Sequence, residues 1–189
     1  MNVLEEWPYD KGFALAPFEA TVIHDPLQTV IGAEGMRTLR VNAGIEAKVG
    51  QTPGVRITSR LYRIDPDGGT RGMLVPPLNS FQYALAGETL EIIGQTGDRL
   101  RMTIGLVHDE YNPSRARINA FDDRGNLIAE RDVEVVRNTP LLIEDLLGSH
   151  HLAAARVVVD VLSGRIGAFG MLTDTATKDM TYLSANRGG

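Results

Sequence analysis

Runs of alternating apolar and polar residues, cut off at regular intervals by turn residues, constrain this chain more than any other feature. Residues 55–64 (VRITSRLYRI) alternate for much of their length and stop at Asp65-Pro-Asp-Gly-Gly69, a strong turn signal. Residues 100–108 (LRMTIGLVH) and 116–121 (ARINAF) repeat the pattern, and the second runs into Asp122-Asp-Arg-Gly-Asn126. Residues 127–136 return as a hairpin partner. Residues 156–162 (RVVVDVL) turn at Ser163-Gly164 into 165–173, and 180–184 closes the series. Strands of this length with turns between them predict an all-β chain built as a sandwich or barrel. One stretch reads as helix: PLLIEDLLG, 140–148, has Pro at its start and Gly at its end, which predicts about two helical turns.

A second feature is an internal repeat. YDKGFALAPFEATVIHDPL (9–27) and FDDRGNLIAERDVEVVRNTPL (121–141) share an aromatic, an Asp, a basic residue with Gly, and a closing Pro-Leu. After Pro-Leu come Val30-Ile-Gly and Leu146-Leu-Gly, and seven residues later Arg40-Val and Arg156-Val. The second copy has a full strand, 100–108, for which residues 1–8 leave no counterpart. The repeat therefore predicts two sandwich units: an incomplete one over 1–76, a linker over 77–99 and a complete one over 100–189. A missing strand leaves unpaired N–H and C=O groups that something must cover. A donated strand from a neighbouring subunit would do so, and so would the linker or sequence upstream. Trp7, Tyr9, Phe13 and Phe18 concentrate aromatics near the N-terminus and are the candidate assembly residues, whether as core, donor strand or sugar platform.

Composition narrows the function classes. The 189 residues carry a net charge of −5, which argues against a nucleic-acid footprint. Arginines 56, 60 and 63 and arginines 115 and 117 read as solvent faces of strands. No cysteine is present, which removes disulfides, thiolate metal sites and a Cys nucleophile. No apolar run reaches the ~18–20 residues of a membrane helix. The N-terminus MNVLEEWPYDKG lacks the apolar core of a signal peptide, so secretion by a cleaved signal would require one already removed.

No residue set forms a catalytic or metal motif. Asp65 and Asp67, and Asp122, Asp123 and Asn126, are the candidate Ca²⁺ ligands; each group supplies two or three oxygens where the ion takes six to eight. They read better as hairpin turns, as does the turn from Asp174 to Asp179. His150-His151 reads as a solvated loop, and His108-Asp109-Glu110 projects to alternate strand faces. No Gly-x-Ser-x-Gly elbow is present. Gly164-Arg-Ile-Gly-Ala-Phe-Gly170 reads as a strand whose small residues let large neighbours approach.

Gly105-Leu-Val-His108, the Asp122-x-x-Gly125 turn and the closing run AFGMLTDTATKDMTY (168–182) together resemble the tandem immunoglobulin-like β-sandwich repeats of large uncharacterised bacterial secreted and surface proteins. The likeness is greatest over 100–185. Ser59-Arg-Leu-Tyr62 with Gly72 and Pro76-Pro77 resembles the end of a preceding repeat. The resemblance implies that the two units are immunoglobulin-like antiparallel sandwiches in tandem, with a scaffold or adhesive role, and carries no catalytic residues. The expectation is a non-enzymatic structural building block of an extracellular, filament or particle-surface assembly, self-associating and without a cofactor. The alternative is a carbohydrate- or receptor-binding module.

Overall fold

The computed structural model describes residues 59–64, 68, 70–78, 82–108, 112–136 and 140–188, together with Val22. All but Val22 belong to the unit Thr38–Gly189. Among them the chain is all β, and every strand pairing is antiparallel. No helix of the described residues is long and apolar enough to cross a membrane.

β1 (Ser59–Ile64) and β2 (Thr70–Val75) form a two-stranded ribbon, with Ile64 opposite Thr70 across the predicted turn. The first five-stranded sheet takes β4 (Thr89–Thr96), β6 (Ser114–Phe121), β7 (Leu127–Val135), β9 (Leu152–Ser163) and β12 (Asn186–Arg187), in the order β12-β4-β9-β6-β7. The second runs β11-β10-β5-β8, from β5 (Leu100–Val107), β8 (Leu141–Ile143), β10 (Arg165–Asp174) and β11 (Met180–Ser184). β3 (Tyr83–Leu85) pairs with the start of β10.

Alternation decides which side chains face inward. On β6, Ala116, Ile118 and Ala120 are fully buried while Arg115, Arg117 and Asn119 face out. The inward rows of both sheets meet in one core: Leu90, Ile92, Ile118, Val157 and Val159 from the first, Met102, Ile104, Leu106, Ile143 and Ile166 from the second. Two antiparallel sheets sharing one core fit a β-sandwich.

Two strand pairs change sheets at a tight corner. β4 passes through residues 97–99 into β5, and β9 passes through Gly164 into β10. Because β4 pairs with β9 and β5 with β10, the two arches embrace each other. Each corner is tied to the other arch. Thr175 N–H donates to the Arg99 carbonyl at 2.6 Å, and Ala86 N–H to the Gly164 carbonyl at 3.1 Å.

Two expectations need correction. The stretch 77–99 carries β3 and β4, and β4 lies between β9 and β12 in the first sheet, so 83–85 and 89–96 are strand and not linker. Leu90 and Ile92 alternate inward, but Ile93-Gly94 breaks the pattern, and a bulge falls between Gly94 and Thr96. The second correction is the helix at 140–148. Leu141–Ile143 pairs with Leu106–Ile104 of β5, and the chain then turns so that Leu146 and Leu147 enter the core. Core and ladder partners outweighed a helical preference that two turns could not sustain. The first copy of the repeat and residues 1–58 lie outside the described residues apart from Val22.

Candidate functional site

Ser114 and His108 are the one nucleophile–imidazole pair that the fold brings together among the described residues. Ser114 opens β6, and His108 follows β5. The hydroxyl oxygen of Ser114 lies 2.9 Å from His108 Nδ1 and accepts the Arg165 N–H at 3.0 Å. His108 Nδ1 is also 3.2 Å from the Arg165 carbonyl. His108 Nε2 is buried without a hydrogen-bond partner among the described residues. A catalytic serine must reach substrate, but Ser114 has no exposed surface and His108 has 1%. Gly164 seals the corner. Its φ is +73°, and a Cβ there would collide with the Ser114 hydroxyl. The cluster ties the β9–β10 corner to the end of β5.

The acidic turns are likewise self-contained. Asp122 Oδ1 accepts the N–H groups of Arg124 at 2.9 Å and Asn126 at 2.8 Å, and Oδ2 accepts the Asn126 side-chain amide at 2.8 Å. Those bonds, the Asn126 amide first, hold its carboxyl below the usual carboxylate range. Asp123 is exposed beside it. Asp174 accepts from Thr177 N–H and Ala176 N–H, which lower its carboxyl in the same way, with Arg99 adding to the effect. These are Asx turns whose oxygens are already engaged. Asp65 and Asp67 lie outside the described residues. No group of three or more His, Asp or Glu converges among the described residues. His151 Nε2 lies 3.3 Å from Asp98, with both side chains exposed.

What remains is surface. On the outer face of the first sheet, Thr89, Asp160, Arg117 and Asp132 stand in one cross-strand row, and Glu91, Val158, Asn119 and Glu130 in the next. Arg117 Nε donates to Asp132 at 2.8 Å, and Asn119 donates to Asp160 at 2.7 Å. At one end of this face Arg156 bonds to Glu91 and lies 5.5 Å over the Phe121 ring. Ile93, Phe121, Ala154 and Arg156 line an open hollow of about 290 Å³ there.

The outer face of the second sheet is aromatic. Phe169 of β10 and Tyr182 of β11 lie with ring centroids 5.7 Å apart and 14° between their planes. Phe169 lies on Gly105, where a Cβ would run into the ring. Burial pushes the Tyr182 phenol above its usual value. Tyr83 carries the Arg165 guanidinium 4.7 Å over its ring.

The third feature is an edge. β7 is nine residues long and pairs only with β6 among the described residues, so its other side presents a row of main-chain N–H and C=O groups. Its outward side chains are Glu130, Asp132 and Glu134, in register with Asn119, Arg117 and Arg115. Arg131 sits opposite buried Ile118 and reaches Asp145 at 3.2 Å.

Trp7, Tyr9, Phe13 and Phe18 lie outside the described residues. Sequence reasoning missed Phe169 and Tyr182 as a pair, and buried Tyr83 as the ring under Arg165. The available signal was period two: Phe169 alternates with inward Ala168 and Gly170. Comparison with known proteins found no matching family model, no matching curated protein and no matching solved structure.

Proposed function

We propose that the chain is a non-enzymatic structural building block of an extracellular, filament or particle-surface assembly. It would consist of immunoglobulin-like β-sandwich units in tandem, held to its neighbours by strand or sandwich-edge contacts. The observation that carries this role is the β7 edge, nine residues of strand with one side unpaired among the described residues. An edge of that length is a template for strand addition from another chain. The polar clusters at Ser114, Asp122 and Asp174 close the fold's own corners, which fits a scaffold better than a catalyst.

Mass in solution tests this role. Light scattering on the full chain over a range of concentrations should return species heavier than the 20.6 kDa monomer. A monomer at every concentration would remove it.

A second role, carbohydrate or receptor binding, is favoured by the near-parallel, partly exposed Phe169 and Tyr182 rings. Aromatic faces attract the C–H surfaces of sugars and apolar side chains alike. Binding to a glycan panel that is lost in Phe169→Ala would support it; binding untouched by that change would place the contact elsewhere.

A further inference from the structure

We draw no further inference here: the strongest candidate, the apolar row of Ile93, Phe121 and Leu127 that crosses one end of the outer face of the first sheet beside the Arg156 hollow, carries nothing because nothing in the structure shows what covers it.

Discussion

Ser114 is a buried polar residue that ties two strands together. Its oxygen takes the Arg165 N–H and stands beside His108 Nδ1, in a place with no access to water. Ser114→Ala would leave a buried donor without an acceptor, which costs about 1–3 kcal/mol. Urea unfolding should show the midpoint falling with an unchanged slope. A midpoint within a few tenths of a molar of wild type would mean that the corner does not depend on this hydroxyl. Both residues stand in the sequence six apart, yet nothing there marks them as partners. The group that joins them is the backbone of residue 165, 51 positions further on.

At the scale of elements, the β6–β7 hairpin is held by its turn. The folded-state pKa of Asp122 lies below its unfolded value, because the Asn126 amide and two backbone N–H groups favour the charged form. Its contribution is therefore complete above the unfolded pKa, about 3.9. It is lost as pH falls through the lower folded value. Asn126→Ala removes the largest of these causes. The Asp122 carboxyl should then titrate closer to the ordinary value, as read by side-chain NMR; an unmoved titration would show that the backbone bonds alone suffice. This hairpin was legible because Asp-Asp-Arg-Gly-Asn is turn chemistry between two alternating runs. β10 was legible too, small residues included: Gly167 is approached by Tyr83, Leu78 and Val107. β8 was not. PLLIEDLLG has apolar residues at spacings that suit a helix or a strand, and the choice fell to the open side of β5.

At the scale of the whole molecule, the acidic turns carry a prediction about metal. Asp122 and Asp174 spend their oxygens on N–H donors of their own turns. Chelation with EDTA should leave the melting temperature unchanged. A fall of several degrees would show that one of the Asp-rich turns, Asp65 and Asp67 included, holds an ion that contributes to stability. The same scale explains why the surface features escaped sequence reading. Phe169 and Tyr182 are thirteen residues apart and meet because β10 and β11 pair with Met171 opposite Tyr182. The acid row of β7 is visible as ERDVE, but its exposure on a free edge follows from strand order, which no local pattern encodes.

Residue types and their alternation settled the all-β class, the positions of β5, β6, β7, β9, β10 and β11, and the turns between several of them. Period two and turn chemistry are local properties, and they act over a few residues. The tertiary structure decided which sheet each strand joined, the mutual clasp of the two arches, the strand state of 141–143 and the recruitment of 83–96. Those outcomes depend on partners far apart in sequence, where burial and unpaired backbone groups outweigh what a short segment prefers on its own.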